Sequence, residues 1–501
     1  MKRTIKVLVF VLSLVLLLQS FAACGSKKSG QETGEVTTEP VTEAGPTVEE
    51  LVGFGKSDHN FKTFTILVSD TDQSEHLAEG YDGTIVNDLI FARNMQVEDY
   101  FGIEIKVHPE QGGQPAHKQN FMSKIQTAAL TEENPYDLIV GVTSMVSSMF
   151  GNSYFLPTNH LDYVDLSRNW WMTDLHDQLQ INGNIYLLYG DMNLSLYSKV
   201  HCFMFGEQLV RDLQIENPYD LVENNEWTIE KVIEMSALAG AELNGNETPE
   251  IGSDRLGLIG TVNPQRAFMT AFGLELIAHD QETGVPAFPE ALPERFTNLY
   301  SKISSAYRDN DYNIFLPAED NDYSPAFYAM SANRVLFLPA YMGWITDEII
   351  RNMSSDYGIV PYPKADGEQI GYYSQLATGA TCTLFPKNVA DVDLSAQVAT
   401  YMSYLGNRDV SKKYFQNYLQ ERLSKSPRMA EMLGLIRETT TMSLTTVYSS
   451  SFGKALMELF EVSYVHDYGD GLSSEYASRL KTYKFELKQI IKNYEVAEEE
   501  T

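Results

Sequence analysis

Between Phe61 and Gly141 the chain alternates short β-type runs with helical ones, and this order constrains the fold more than any other feature. Phe61–Ser69 (FKTFTILVS) alternates in polarity and is rich in Thr, Ile and Val, which suit a pleated, half-buried strand. Asp82–Phe101 spaces Ile85, Leu89, Ala92, Met95 and Val97 as a helix does, and Gly102 ends it. Gly102–Val107 (GIEIKV) predicts a second strand, Phe121–Leu130 a helix and Tyr136–Gly141 (YDLIVG) a third, buried strand. Strands joined through helices pair in parallel, so the expected class is α/β, built on a mostly parallel sheet. Ligands of such sheets bind beyond the carboxyl ends of the strands, here Asp70, His108 and Thr143.

The later chain repeats the theme less regularly. Gly183–Lys199 predicts two strand-like pieces around Gly190-Asp191-Met192-Asn193. Thr228 caps a helix over Ile229–Ala241, and Trp227, before apolar followers, is expected in the core. Gly257–Thr261 predicts a strand, and Pro264–Phe272 and Arg295–Arg308 predict helices. Val335–Ala340 (VLFLPA) and Tyr357–Tyr362 predict strands around a short helix, Ile345–Arg351, and Gly379–Leu384 predicts the last strand. After Lys387 the pattern is helical: Asp393–Leu405, Asp409–Leu423, Pro427–Arg437, Phe452–Val462 and Ser474–Tyr494. Asp309–Ser324 is polar and predicts a loop. Asp309, Asp311, Asn313 and Asp320 have calcium-loop spacing, but Ile314 stands where the turn needs glycine and Asp320 where a glutamate is usual, so a solvated acidic loop is expected.

The N-terminus is an address. Basic Met1–Lys6, apolar Val7–Leu18 and small residues follow one another as in a secretory signal, and the apolar run is short for a membrane span. Cys24, after Ala22-Ala23, resembles a lipobox cysteine that receives a diacylglyceryl group, with Phe21 where Leu is usual. The stretch from 24 to 57, rich in Gly, Ser, Thr, Glu and Pro, is expected to be a flexible acidic tether. The body would then stand on the extracytoplasmic face of a bacterial membrane. The full chain carries 68 acidic against 37 basic residues, a net charge of -31. That field repels phosphate backbones and argues against nucleic acid as a partner. Of the three cysteines, Cys202 and Cys382 each fall near an expected lobe crossing; a disulfide is open to them, and two buried free thiols are favoured.

Several segments in order resemble the bacterial extracellular solute-binding proteins of the carbohydrate-associated type, the family of maltose-binding protein, and within it a clostridial-type lipoprotein subgroup. They are Val86–Phe101 with Arg93-Asn94, Tyr136–Val140, Asp165-Leu166-Ser167 with Trp170-Trp171, and Asn182-Gly183 through Gly190-Asp191. Glu216–Tyr219 with Glu226–Ile229, Asp356–Lys364, Tyr372-Tyr373-Ser374 and Phe385–Asn388 continue the series. The resemblance implies a two-lobed periplasmic-binding-protein-like fold of type II with a helical C-terminal region. Lobe one would hold 58–192 and 380–430, lobe two 196–374 and 435–495. The chain would cross near Asn193–Ser198 and Tyr373–Gly379. It also implies a monomer that binds a small-molecule solute, docks on the transmembrane subunits of an ABC permease, and needs no cofactor or metal.

A sugar presents an apolar face and a rim of hydroxyls, so its site combines flat aromatic rings with amides or carboxylates. Candidates at strand ends and crossings are Asp70, Thr143, Trp170, Trp171, Asp191, Asn193 and Tyr373. Tyr341 and Trp344 follow VLFLPA, where the resemblance implies a stacking aromatic. The sequence holds no G-x-S-x-G, H-E-x-x-H, C-x-x-C or P-loop motif, and no enzyme is expected. A secreted glycoside-active enzyme, a receptor feeding a sensor, and a receptor for a non-sugar solute stay open beside the transport reading.

Overall fold

The computed structural model describes residues 46–499, apart from 71, 113–116, 151–153, 281–282, 317–321 and 449–470. The signal segment, most of the tether, Cys24, Asp320 and the helix expected at Phe452–Val462 lie outside the described residues.

From Lys62 the expected alternation is present: β1 (Lys62–Ser69), α1 (Ile85–Phe101), β2 (Ile103–Glu110), α2 (Lys118–Ala129), β3 (Leu138–Val142) and the short β4 (Phe155–Leu156). Then come β5 (His201–Phe205), α3 (Ile229–Ala239), β6 (Leu256–Thr261), α4 (Val262–Ala271), α5 (Glu294–Arg308) and β7 (Asn313–Leu316). The chain continues through β8 (Val335–Tyr341), β9 (Gly358–Val360), β10 (Ser374–Gln375), β11 (Thr381–Pro386), α6 (Val392–Leu405), α7 (Pro427–Glu438), β12 (Thr440–Thr441) and α8 (Leu472–Glu499).

Two five-stranded sheets result. The first has the order β2-β1-β3-β11-β4, the second β9-β5-β8-β6-β7. In the first, β1 runs parallel to β2, with Ile66 opposite Val107, and parallel to β3, with Ile66 opposite Leu138; β11 returns antiparallel to β3. In the second, β6 is parallel to β8 and β7, whereas β5 is antiparallel to β8 and β9. The inner strands β3, β6 and β8 are buried on both faces, and VLFLPA of β8 is accordingly a continuous apolar run, whereas the edge strands β2 and β7 are partly exposed.

Four elements differ from the sequence expectation. β7 lies inside the stretch expected as a loop. It pairs Leu258 with Asn313 and Thr261 with Leu316. Asn313 is buried and its amide donates to Ser236 Oγ and the Ala306 carbonyl, so the polar residue that suggested a loop fastens an edge strand instead. Gly183–Lys199 forms single bridges (Trp171 with Gly190, Leu188 with Thr383) followed by a helical turn, Ser195–Ser198, in place of two strands. Side-chain bonds across to β11 replace the ladder there. After α6 the helix continues from Gly406 to Leu423 in wide, π-type turns rather than as a separate α-helix. The face of α1 also differs: Met95 is exposed, and the buried stripe runs through Ile90, Arg93, Asn94, Val97 and Phe101. Two polar residues on the inner face hid that stripe from a hydrophobicity reading. Gly102 caps α1 at φ 60°, a left-handed conformation that favours glycine.

Cys202 and Cys382 are both free and buried, and burial raises both thiol pKa values. Among the described residues no helix is long and apolar enough to cross a membrane.

Candidate functional site

The site is built where the two sheets are joined. Two segments run antiparallel beside each other there: Leu188 bridges Thr383, Val200 bridges Leu376, and the Ala377 N–H donates to the Lys199 carbonyl at 2.9 Å. Between these points the Thr381 N–H donates to Ser195 Oγ at 2.9 Å, and the Ser195 and Thr381 hydroxyls lie 2.7 Å apart. Asn193 Nδ2 donates to Thr383 Oγ1 at 3.3 Å. β10 adds a short parallel ladder to β12, Ser374 opposite Thr440.

From the first sheet, the turn after β1 delivers Glu75. The residue is partly exposed, and its carboxyl is surrounded by protein. Oε2 accepts from Thr381 Oγ1 at 3.1 Å. Burial, followed by the charge of Asp72, pushes its pKa up to about 8, against the opposing pull of Thr381, the Ser195 N–H and Lys199. Arg93 of α1 fixes the turn from beneath. Its Nη1 donates to the Met192 carbonyl at 3.0 Å and its Nη2 to the Glu75 carbonyl at 3.1 Å. Asn94 accepts from Arg93 and donates to the His76 carbonyl at 2.7 Å. Burial lowers the Arg93 guanidinium to about 10, and burial and Arg93 hold the inner His76 ring neutral.

At the second sheet, the end of β8 and the tight turn Met342–Thr346 bring the partly exposed rings of Tyr341 and Trp344 against partly exposed Tyr323 and buried Phe327 and His201. Trp344 lies 4.7 Å from Tyr323, 4.9 Å from Phe327 and 5.4 Å from Tyr341, and Tyr341 lies 4.5 Å from His201. Burial and Tyr323 raise the Tyr341 hydroxyl pKa, and Arg266 in the first half of α4 opposes them. The turn is fastened to the crossing. The Met342 N–H donates to the Val200 carbonyl at 2.8 Å, and a Cβ on Gly343 would come within 2.8 Å of the Ser198 carbonyl, so only glycine allows this approach. The Glu75 carboxyl and the Trp344 group are therefore anchored at opposite ends of one helical turn, Ser195–Ser198, about 5 Å along its axis.

The candidates read from sequence divide in this frame. Tyr341 and Trp344 come together in the ring group. Asp70 follows β1 partly buried, and its Oδ1 accepts from the Gly112 N–H at 3.2 Å. Thr143 is fully buried, its hydroxyl bonded to Tyr189 and the Ala380 carbonyl, both at 2.9 Å. Trp170 and Trp171 are both buried, Trp170 edge-on to Tyr404 and Trp171 against Gly190. Asn193 is buried in the crossing. Asp191 is buried too. It accepts from Tyr197 Oη and Asn407 Nδ2, each at 2.6 Å, and lies 4.0 Å from Arg437, which stacks over the Tyr197 ring at 4.4 Å. It thus binds the crossing to the helices that follow β11. Tyr373 is 42% exposed beside Gly273, apart from the ring group.

Glu75, Tyr323 and Arg266 were not read from sequence. A signal existed for Glu75: Asp70, Asp72 and Glu75 form an acidic run after the first strand, and only its first member was taken. Just past Glu75, Leu77–Asp82 and Asn87 line a surface recess of about 490 Å³. Among the described residues no group of three or more His, Cys, Asp or Glu could hold a metal ion.

No protein-family model matches this chain, and no curated protein sequence matches it. Solved structures match it in fold. A sugar transporter from Rhizobium etli in an open conformation superposes with a TM-score of 0.54 at 13% identity, covering 84% of this chain and 99% of its own. The GacH receptor of Streptomyces glaucescens, solved unliganded and with acarbose, gives 0.52 at 10% identity, covering 86% and 99%. An ABC substrate-binding protein from Listeria monocytogenes in complex with cycloalternan gives 0.51 at 11% identity, covering 87% and 99%. The protein has the two-lobed, periplasmic-binding-protein-like α/β fold of these molecules.

Proposed function

We propose that this chain is the solute receptor of an ABC importer, held to the extracytoplasmic face of the cell membrane by a lipid on Cys24. It captures a sugar or oligosaccharide between two lobes, about 58–192 with 380–430 and 196–374 with 435–495, and delivers it to the permease by hinge closure. One observation carries the reading. The Glu75 carboxyl and the Trp344–Tyr341–Tyr323 rings stand at the two ends of the Ser195–Ser198 turn, beyond strand ends of both sheets. A ring face suits the CH face of a sugar, and a carboxyl suits its hydroxyls. The neighbours in fold add support through what they were solved with, acarbose and cycloalternan.

The test is a thermal-shift screen of the full chain against oligosaccharides, polyols, amino acids and short peptides. A ligand of the folded state raises Tm by mass action. One saccharide class should raise it, and Trp344→Ala should weaken the affinity behind that response about tenfold or more. Shifts with peptides or amines and none with carbohydrates would sink the sugar assignment. The anchor is checked separately: cells should incorporate labelled fatty acid into the chain and not into its Cys24→Ser variant.

A further inference from the structure

The recess beyond Glu75 bears on the size and charge of the solute, an inference that rests on the receptor reading above. It opens to solvent between Leu77–Asp82, the loop that follows Glu75, and Asn87 in the first turn of α1. Its volume, about 490 Å³, is that of a small-molecule site. Tyr81 lies in the lining and is 65% exposed, although its ring meets Phe91 in an edge-to-face contact at 4.8 Å. A lone exposed ring is ordinary on a protein surface. What sets Tyr81 apart is how firmly its loop is held. Arg93 and Asn94 donate to the Glu75 and His76 carbonyls at 3.1 and 2.7 Å, and Asn87 Nδ2 donates to the Gly80 carbonyl at 2.7 Å. Asp88 Oδ1 accepts the Asp82 N–H at 3.0 Å and the Gly83 N–H at 3.3 Å. Asp82 Oδ1 in turn accepts the Thr84 N–H and hydroxyl at 2.8 and 2.7 Å. The ring is therefore presented to solvent by a preorganised loop, and a ligand need not order it. The polar side chains of the lining are acidic or amide: exposed Glu79 and Asp82, and Asn87; no lysine, arginine or histidine lines the recess.

We propose that this recess is a saccharide subsite, with Tyr81 as the platform for one face of a neutral sugar ring and Glu79, Asp82 and Asn87 as acceptors for its hydroxyls. Glu75 stands two residues before Leu77, at most about 7 Å along the chain, so the recess continues the Glu75 end of the site. The solute that fills both is an oligosaccharide and not a single sugar: its inner rings meet Glu75 and Trp344, and an outer ring meets Tyr81. Chains bearing uronate or sulfate are disfavoured, because the lining holds carboxyl groups and no cation to pair with an anion.

The experiment measures the affinities of full-length wild type, Tyr81→Ala, Tyr81→Phe and Trp344→Ala by titration calorimetry. Probes run from the monosaccharide to the pentasaccharide of the gluco-, manno-, galacto- and xylo-oligosaccharide series, with trigalacturonate as the acidic chain. In the series that binds, wild-type affinity should rise about tenfold or more from disaccharide to pentasaccharide. Tyr81→Ala should lose that rise and keep the disaccharide affinity, Tyr81→Phe should keep both, and Trp344→Ala should weaken every length. The ligand-free Tm of Tyr81→Ala should lie within about 2 °C of wild type, since most of the ring is exposed, so a loss confined to long chains reports a contact and not a folding defect. An affinity level with chain length, a Tyr81→Ala variant that binds like wild type or loses equally at all lengths, or tighter binding of trigalacturonate than of any neutral trisaccharide overturns this inference alone. No binding of any saccharide by a wild type that melts cooperatively overturns the sugar reading and this inference with it.

Discussion

Replacing Arg93 with alanine is expected to destabilise the protein by about 3–5 kcal/mol, read as the shift of a urea midpoint at pH 7. The side chain is buried and charged at that pH, and it ties three places distant in sequence. It holds α1, the turn that carries Glu75, and Met192 at the start of the crossing. Removing it leaves the buried Met192 carbonyl, the partly buried Glu75 carbonyl and the Asn94 amide oxygen without this donor, and each orphaned buried group costs about 1–3 kcal/mol. Asn94→Ala should cost less, about 1–2 kcal/mol, because it frees one carbonyl, that of His76, and weakens the seat of Arg93. A loss below about 1 kcal/mol for Arg93→Ala would mean that solvent replaces these bonds and that the turn is not held from below.

The second large effect belongs to the other sheet. Trp227→Ala should cost about 3–5 kcal/mol, and Trp227→Phe about 1–2 kcal/mol. The indole is fully buried between Phe203 at 5.9 Å and Phe337 at 5.5 Å, and its Nε1 donates to the Pro361 carbonyl at 2.9 Å. Alanine opens a cavity against β5 and β8; phenylalanine keeps most of the packing and loses the hydrogen bond. Equal losses for the two substitutions would assign the whole effect to the hydrogen bond and overturn the packing account. The two sets of variants probe different sheets. Ligand-free melting followed by both near-ultraviolet dichroism and Tyr/Trp fluorescence would reveal whether they unfold together.

Much of the scaffold was legible because its signals are local. β3 and β8 are short apolar runs bounded by polar or turn residues, the mark of a strand buried on both faces, and β1 and β2 alternate in polarity as strands with one more exposed side do. Trp227 was read as core for the same reason, a large ring followed by apolar residues at the start of a helix. β7 was not legible, because a polar residue, Asn313, fastens it, and one of its two partners, Ser236, is distant in sequence. The stripe of α1 was misjudged where Arg93 and Asn94 face inward, since polar residues buried by mutual hydrogen bonds look exposed in a sequence.

The site divides along the same line. Tyr341 and Trp344 were accessible to reading because they follow directly on a strong strand, and strand ends are where such sheets bind. Glu75 stands six residues past its strand, and nothing in sequence distinguishes it from Asp70 or Asp72. Its position is set by Arg93 from below and by Thr381, about 300 residues later in the chain. Asp191 was a candidate by its place at the crossing, and its partners, Asn407 and Arg437, lie in the helical tail.

The sequence by itself determined the α/β class, most of the succession of strands and helices, and the acidic character, because each depends on side-chain type and spacing within a few residues. The tertiary structure alone decided which carboxyl is desolvated, which rings gather beside Trp344, and which polar residues serve as internal fasteners. Those outcomes depend on burial and on hydrogen bonds between segments far apart in the chain, and the free energy of a buried polar group is set by its neighbours in space.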